Sequence, residues 1–307
     1  MKNFLLARFR LELLAEEPLF LPPYKGSSLR GGVGHALRRV AWLIKDKEYP
    51  ECMLRDRCAY SYCFETPPPA NTKMMRKYPY APHPFVIEPP LEAKQDYRPG
   101  EALSFGLTLI GRAVDYLPYF ICTFEELGKL GLGKGRGRAS LRRVLGLAKD
   151  GKEAEIYKGG RLLNTFPVIR ASELPPPPSP SPLTLEFITP TRLRYEGHIT
   201  DRLDFHILMR NLLRRISALS YFHCGKELEV DFKGLIERAG AVRILSQKLR
   251  WHDWERYSSR QNEKMRLGGL LGTITYEVPL TEFHPYLMLG QYVHVGKGTS
   301  FGLGRYE

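Results

Sequence analysis

Long hydrophobic stretches are absent: no run of 18 apolar residues occurs in the 307-residue chain. The amino terminus, MKNFLLARFRLELL, carries Arg8, Arg10 and Glu12 inside its apolar pattern. A transmembrane helix needs about 20 consecutive apolar residues, and a signal peptide needs an uninterrupted apolar core. We therefore expect neither, and the amphipathic terminal helix of a protein that binds lipid surfaces is also missing.

Cysteine is infrequent, and acidic residues are fewer than basic ones. The five cysteines are an odd number in a chain without a secretion signal, which favours reduced thiols and a cytoplasmic location. Asp and Glu number 33 against 46 Lys and Arg, so the net charge is +13. This excess favours a polyanionic partner, and nucleic acid ranks before an anionic membrane surface.

Three of the cysteines, Cys52, Cys58 and Cys63, lie in one short segment, separated by five and four residues. These spacings are looser than the C-x-x-C pairs of common zinc sites. Zinc binding, with a fourth ligand from His83 or Cys122, is one interpretation. Free thiols are the favoured one, and we predict no metal and no cofactor.

Glycines are concentrated at the end of the chain, in GQYVHVGKGTSFGLGRYE. We predict a short strand over Tyr292–Val295 followed by a glycine loop whose backbone N–H groups approach phosphates. A dinucleotide-binding loop or a P-loop would need a following helix, and only three residues follow Gly304. A tight hairpin is the alternative. The predicted phosphate contacts are Lys297, Gly298, Ser300, Gly302, Gly304 and Arg305.

A second glycine segment, GLGKGRGR, occupies residues 131–138 and places Lys134 and Arg136 between glycines. Residues 128–134 match G-x-x-x-x-G-K, but Gly135 replaces the Ser or Thr that would hold magnesium, so this is not a P-loop. We predict that Lys134 and Arg136 also contact phosphates. Two copies of so unusual a loop indicate two related halves.

The order of predicted elements repeats on either side of a proline-rich linker. Residues 175–182 contain six prolines and have no core to bury. Residues 1–174 and 183–307 each fit a βαββαβ pattern, which predicts an α+β protein of two tandem ferredoxin-like domains. The clearest elements are a strand over 3–14, helices over 29–45 (capped by Ser27 or Ser28), 114–130 and 201–221, and a short helix over 281–289.

Basic and aromatic residues alternate in the long hairpin predicted for the second half. Basic groups would bind phosphates and aromatic rings would stack on unpaired bases; a solvated hairpin tip is the alternative. Arg250 and Trp251 are the main candidates. The full set is Lys248, Arg250, Arg256, Arg260, Lys264 and Arg266 with Trp251, Trp254 and Tyr257.

The first predicted helix separates an apolar stripe from a polar face. At 100° per residue, Leu29, Val33, Leu37, Val40 and Ile44 form the stripe, and His35 lies on the far side with Arg38 and Arg39. We expect His35 to face outward. Gly31 and Gly32 reduce helix propensity, which suggests a close approach near the first turn.

Four segments, taken in order, resemble a known family: LRGGVGHALRRV, CAYSYCFETP, GLGKGRGR and GKGTSFGLGRYE. Together they are similar to the CRISPR-associated endoribonucleases that process precursor CRISPR RNA, members of the RAMP superfamily. The resemblance implies tandem ferredoxin-like domains and a glycine loop that touches repeat RNA. It also implies metal-independent cleavage by 2′-hydroxyl attack, leaving a 2′,3′-cyclic phosphate.

The resemblance also implies catalytic roles. Members commonly use a histidine of the first domain, often with a tyrosine and a lysine. His35 and Tyr24 match two of these roles, but no lysine follows His35 at the familiar short distance. Arg39 is the candidate for the third role, with Arg38 and Lys25 as alternatives, and the rival histidines are His223 and His294.

Two functions remain open at this point. The first is an endoribonuclease whose partners are CRISPR repeat RNA and other CRISPR effector subunits, with no membrane. The second is a non-catalytic RAMP subunit that binds guide RNA in an effector complex. An outward His35 close to a tyrosine favours the enzyme, because a protein that only binds RNA does not require it.

Overall fold

The computed structural model describes residues 1–41, 52, 57–163, 165–176, 182–253, 255–258, 263–277 and 280–307, with the backbone alone described for 255–258 and 263–266. The chain divides into two compact units. The amino-terminal unit comprises residues 2–170 and 218–226, and the carboxyl-terminal unit comprises residue 1, 171–217 and 227–307. Five residues of the predicted linker, 177–181, lie outside the described residues, as do Ile44, Trp254 and Arg260.

The amino-terminal unit is built on one antiparallel sheet. Its elements are β1 (Leu5–Ala15), β2 (Leu19–Phe20), α1 (Gly26–Ala41), β3 (Phe85–Glu88), β4 (Asp96–Tyr97), β5 (Ala102–Ile110), α2 (Leu117–Leu130), β6 (Ala139–Leu147), β7 (Glu153–Lys158), β8 (Arg161–Leu162) and β9 (Ile169–Arg170). The strand order is β3-β5-β1-β6-β7-β8. The four strands β3-β5-β1-β6, with α1 following β1 and α2 following β5, form a βαββαβ ferredoxin-like unit.

The carboxyl-terminal unit repeats this topology. Its elements are β10 (Leu183–Thr191), β11 (Leu193–Tyr195), β12 (His198–Thr200), α3 (Phe205–His223, whose last turns group with the other unit), α4 (Phe232–Gly240), β13 (Ile244–His252), β14 (Glu255–Ser258), β15 (Glu263–Arg266), β16 (Gly269–Tyr276) and α5 (His284–Val293). The sheet order is β10-β16-β13. The fold class predicted from the sequence, two tandem ferredoxin-like domains, is confirmed.

The fourth strand position of the carboxyl-terminal unit is filled by the last residues of the chain. The Glu186 amide donates to the Glu307 carbonyl at 2.9 Å, and the Glu307 amide donates back at 3.0 Å. The Ile188 amide donates to the Arg305 carbonyl at 3.1 Å. The final residues therefore pair antiparallel with β10 and complete the βαββαβ order.

The strand predicted at Tyr292–Val295 is wrong. Helix α5 continues to Val293 and ends at His294, which has a φ of 61°. Buried positions at Tyr286, Leu287, Leu289, Gly290 and Val293 follow the three-to-four spacing of a helix. The alternation in YVHV was too short to distinguish a strand from the end of an amphipathic helix.

The buried stripe of α1 confirms the helical pattern predicted from the sequence. Leu29, Val33 and Leu37 are fully buried, whereas His35 is exposed. Gly32 packs against α2, since a Cβ there would stand 2.5 Å from Leu127 Cδ1. In the described part of the chain, no helix is both long and apolar enough to cross a membrane.

Candidate nucleic-acid interface

The exposed face of α1 presents His35 between glycine and arginine residues. Gly31 lies one turn before His35, and Arg38 and Arg39 lie one turn after it, all exposed. No atom lies within 4 Å of the position that a Cβ on Gly31 would occupy. The imidazole therefore stands on an open surface with cationic side chains beside it, as the sequence predicted.

Arg39 is engaged in an ion pair with α2. Its Nε lies 2.7 Å from Glu126 Oε1, and its side chain is 64% exposed. Exposed pairs of this kind contribute about 0–1 kcal/mol, so a phosphate can replace the carboxylate at little cost. Arg39 can thus act as a cation toward RNA by releasing Glu126.

Lys25 and Tyr24, two further candidates for the catalytic roles, lie in the segment before α1 and differ in their surroundings. Lys25 is completely buried, and its Nζ donates to the carbonyls of Glu92 at 2.9 Å and Pro23 at 3.4 Å. Burial lowers the pKa of Lys25, an effect that the nearby Glu92 charge partly offsets. The ammonium fixes the entry into α1 and cannot reach a phosphate, so Lys25 is removed as a candidate for the third role.

Tyr24 is half-buried by area. Burial raises the pKa of its phenol far above the ordinary value, because the charged phenolate would be poorly solvated there. The phenol therefore remains protonated at neutral pH. It suits donation of a hydrogen bond and does not suit the role of a general base.

The amino-terminal glycine loop, residues 131–138, joins α2 to β6. Gly131, Gly133 and Gly135 have φ values of 83°, 71° and 86°. A Cβ on Gly133 would lie 2.1 Å from the Phe20 carbonyl oxygen. Lys134 and Arg136 are both exposed, as expected of phosphate contacts.

The carboxyl-terminal glycine loop, residues 296–304, joins α5 to the final strand. It therefore occupies the same place between second helix and fourth strand as the amino-terminal glycine loop. Its four glycines, Gly296, Gly298, Gly302 and Gly304, all have positive φ. Gly298 and Gly302 flank a 3-10 turn over Thr299–Phe301. The likeness of the two loops in sequence thus reflects equivalent positions in the fold.

Several amides of this loop already have acceptors within the chain. The Gly302 amide donates to the Thr299 carbonyl at 2.9 Å, and the Gly304 amide donates to the Pro190 carbonyl at 3.2 Å. These two groups cannot also bind phosphate, so glycine at both positions serves the backbone conformation. The amides of Gly298, Thr299 and Ser300 donate no hydrogen bond to a backbone carbonyl among the described residues, so they are available to a phosphate.

The side chains of this loop differ in their exposure. Lys297 is exposed, while its amide donates to the Arg192 carbonyl at 2.9 Å. Ser300 is only 6% exposed, so its contribution to a ligand would come through the backbone. Arg305 is half-buried, and its Nη2 donates to Glu307 Oε1 at 2.8 Å. Among the predicted residues of this loop, Lys297 is the side chain best placed for a phosphate.

Arg215, which the sequence did not single out, fixes the point where this loop begins. Its Nε donates to the Val293 carbonyl at the end of α5 at 2.7 Å. Burial lowers the pKa of this guanidinium to about 9. A cation at a helix carboxyl terminus stabilises the exposed carbonyls there. No hydrogen-bond partner for its Nη2 lies among the described residues.

The two rival histidines are buried inside the units. His294 Nδ1 lies 3.1 Å from the Leu303 carbonyl oxygen, and the residue is completely buried. His223 contacts the Pro82 carbonyl through Nε2 at 2.8 Å and the Tyr62 hydroxyl through Nδ1 at 3.1 Å. Neither ring is accessible to an RNA phosphate in this conformation, whereas His35 is.

Arg250 and Trp251 are exposed but are consecutive residues of β13. Consecutive side chains of a strand point to opposite faces of the sheet. One RNA strand lying on one face can therefore contact only one of them. Arg250 lies on the same face of the sheet as Lys248, so the two side chains form one basic surface. Trp251 lies on the other face, and its Nε1 donates to Asp253 Oδ1 at 2.9 Å.

The cysteine segment has structural contacts. Cys63 is completely buried, and burial raises the pKa of its thiol, which disfavours the thiolate that zinc requires. Cys58 Sγ lies 3.5 Å from the Ala41 carbonyl. Within the part of the chain that the structure describes, no three His, Cys, Asp or Glu side chains are grouped closely enough to hold a metal ion.

Comparison with known proteins adds two family matches and one relative. One family model, described as an N-terminal domain, matches residues 4–168. A second, described as CRISPR-associated endoribonuclease Cas6, matches residues 185–306. An uncharacterized protein of Archaeoglobus fulgidus is 23% identical over 294 residues, covering 92% of this chain and 91% of its own.

Solved structures share the fold. Thermus thermophilus Cas6 matches with a TM-score of 0.55 and 18% identity, covering 99% of this chain and 98% of its own. A product complex of this Cas6 matches with a TM-score of 0.59 and 20% identity, and the match covers 98% of each chain. A partial Cas6-RT-Cas1–Cas2 complex matches with a TM-score of 0.58 and 14% identity, and the match covers 99% of this chain and 46% of the other. The Cas6 model thus matches the carboxyl-terminal unit alone, so over residues 185–306 the chain is similar to the CRISPR-associated endoribonuclease Cas6 family, and the solved Cas6 structures share the fold of the chain.

Proposed function

We propose that this protein binds CRISPR repeat RNA and cleaves precursor CRISPR RNA by attack of a 2′-hydroxyl on the adjacent phosphorus, giving a 2′,3′-cyclic phosphate. The observation that supports this most directly is the exposed His35 on α1, flanked by Gly31 and by Arg38 and Arg39. A histidine in this setting is not needed for the core. In a Cas6 endoribonuclease, it is a suitable proton-transfer group.

The proposed chemistry needs three groups: a base near the 2′-hydroxyl, an acid near the departing 5′-oxygen, and a cation for the charge that develops on phosphorus. The 2′-hydroxyl loses a proton as its oxygen bonds to phosphorus, and the 5′-oxygen gains a proton as its bond to phosphorus breaks. His35 carries out one of these two transfers, because an imidazole can accept or donate a proton at its ring nitrogens, and water carries out the other. Tyr24, whose phenol stays protonated, donates a hydrogen bond to the phosphate. Arg39 leaves Glu126 and neutralises developing negative charge.

Binding in this proposal is distributed over both units. Lys297 and the amides at the start of the Thr299–Phe301 turn contact phosphates in the carboxyl-terminal unit. Lys134 and Arg136 do so in the amino-terminal unit, and Arg250 extends the basic surface on β13. The +13 net charge supports such a partner. The likeness to a Cas6-RT-Cas1–Cas2 complex makes other CRISPR proteins candidate partners.

The test is incubation of the protein with the CRISPR repeat transcript encoded beside its gene, in the presence of EDTA. We expect cleavage at one defined position and a 5′ product whose end resists phosphatase until acid opens the cyclic phosphate. Tight binding without cleavage, with or without added divalent metal, would instead support the non-catalytic RAMP subunit.

Replacing Lys297 with alanine should weaken RNA binding and reduce its salt dependence. Loss of one phosphate contact lowers the slope of log K against log salt by about 0.7 to 0.9. Affinity measured over a series of salt concentrations checks this. Lys233→Ala, which removes an exposed lysine of α4 in the same unit, is the matched control. Equal slopes for parent and Lys297→Ala would exclude Lys297 from the interface.

A further inference from the structure

An aromatic ring stands unexpectedly exposed beside the amino-terminal glycine loop. Phe20 in β2 is 50% exposed, whereas its neighbours Leu19 and Leu21 are buried. The short strand therefore directs two leucines into the core and one phenylalanine outward. The open half of the ring is available to a ligand that can stack on an aromatic face.

The backbone places a cation directly beside this ring. Phe20 and Lys134 form an antiparallel bridge, and the Lys134 amide donates to the Phe20 carbonyl at 2.9 Å. Residues directly opposite each other in such a pair project to the same face, with Cβ atoms about 4.5–5.5 Å apart. Lys134 therefore begins next to the Phe20 ring.

On the other side of Phe20, the opposite residue is Asp96 of β4, which is also exposed. The three side chains form a row across one face, from carboxylate through ring to ammonium. A phosphate is repelled from the Asp96 end and attracted to the Lys134 end. An anionic group of a ligand bound at the Phe20 ring would therefore lie on the Lys134 side of the ring.

A second cation of the loop is held in a strained conformation. Arg136 has a φ of 51°, which costs a residue with a side chain about 1 kcal/mol or more and which glycine adopts freely. Its side chain is exposed, and neither it nor Lys134 forms an ion pair with any described residue. An arginine kept at a position that suits glycine indicates that the guanidinium has a use.

The loop itself is firmly anchored. Arg138 donates to Glu17 through Nε at 2.9 Å and through its amide at 2.9 Å. The amides of Glu16 and Glu17 donate to the Arg138 carbonyl at 2.9 and 3.1 Å. Gly137 packs against the Pro18 carbonyl, 2.2 Å from where a Cβ would lie. The backbone positions from which the ring and the two cations project are therefore fixed before a ligand binds.

We propose that Phe20, Lys134 and Arg136 form a subsite for one unpaired nucleotide of the RNA, an inference that rests on the proposed function. The base stacks on the Phe20 ring and the adjoining phosphates lie against Lys134 and Arg136. An exposed ring with cations on one side is the combination that binds unpaired strands, in which stacking tolerates any base and cations follow the backbone.

The test compares Phe20→Leu with Phe20→Tyr in titrations of the full chain with the repeat transcript. Leucine keeps an apolar side chain but cannot stack, so affinity should fall about tenfold, whereas tyrosine should bind as the parent does. Tyr119→Leu, which removes an exposed ring of α2, should have no effect. Unchanged binding by Phe20→Leu would overturn the subsite.

A second measurement locates the base. Each repeat nucleotide is replaced in turn by an abasic residue, and every RNA is titrated with the parent and with Phe20→Leu. At one position, the abasic change should weaken the parent about tenfold and leave Phe20→Leu unaffected, since both changes remove the same contact. Additive losses at every position would exclude stacking by Phe20.

Arg136→Gly tests the cation without disturbing the loop. Glycine suits the positive φ, so the melting temperature should be unchanged or raised while the affinity for repeat RNA falls and its salt slope decreases by about 0.7 to 0.9. Unchanged affinity would remove Arg136 from the subsite. Failure of the parent to bind repeat RNA would refute the proposed function itself, whereas binding and cleavage unaffected by these variants would refute the subsite alone.

Discussion

Replacing His35 with alanine is expected to slow cleavage of repeat RNA by at least about a hundredfold while leaving affinity nearly unchanged, since loss of a general acid or base typically costs about 10² to 10⁴ in rate. The side chain is exposed on α1, and alanine has the higher helix propensity, so the fold should be preserved. Single-turnover cleavage with saturating protein separates the chemical step from binding.

His198→Ala is the matched control, because His198 is an exposed histidine of β12 outside the proposed site. It should cleave at the parent rate. Full activity of His35→Ala would exclude His35 as the proton-transfer group. The role could not then pass readily to His223 or His294, which are buried, so Tyr24→Phe would be the next variant to examine.

The fold could be predicted because periodicity is strong where elements are long. The alternation in residues 3–14 and the stripe of Leu29, Val33 and Leu37 gave β1 and α1, and their buried faces are those expected. The repeated order of elements then gave the ferredoxin-like topology. A short element contains too few residues to show whether its apolar positions repeat every two residues or every three to four. For this reason the end of α5 was predicted to be a strand.

A missed helix shows a signal that was present but unused. Helix α4 is capped by Asp231, whose Oδ1 accepts the Gly234 amide at 2.9 Å. An aspartate before a short amphipathic segment is a helix start signal in the sequence. Leu19, Phe20 and Leu21 are all apolar, so the sequence could not show that only the middle residue is exposed.

The candidate site depended on facts that a sequence does not contain. Whether a lysine is buried is decided by long-range contacts, and Lys25 is held by the Glu92 carbonyl, 67 residues away. Which loop amides are available depends on distant acceptors, such as Pro190 for Gly304. The sequence therefore located the glycine loops and His35 but could not separate structural glycines from ligand contacts.

Gly304→Ala should destabilise the carboxyl-terminal unit by about 3–5 kcal/mol, a large effect for one methyl group. A Cβ at this position would stand 1.8 Å from the Val295 carbonyl oxygen, and the φ of 74° is itself unfavourable for alanine. Relief of the clash requires the backbone to move. That movement would break the bonds from the Val295 amide to the Gly304 carbonyl, at 3.0 Å, and from the Gly304 amide to the Pro190 carbonyl.

Gly31→Ala is the opposite case and serves as the stability control. Gly31 is helical and exposed, with nothing within 4 Å of an added Cβ, so alanine should raise the melting temperature by contributing up to about 1 kcal/mol. Thermal unfolding of both variants, followed by circular dichroism, measures the two shifts. A Gly304→Ala protein that melts with the parent would show that Gly304 does not lie against the Val295 carbonyl as described.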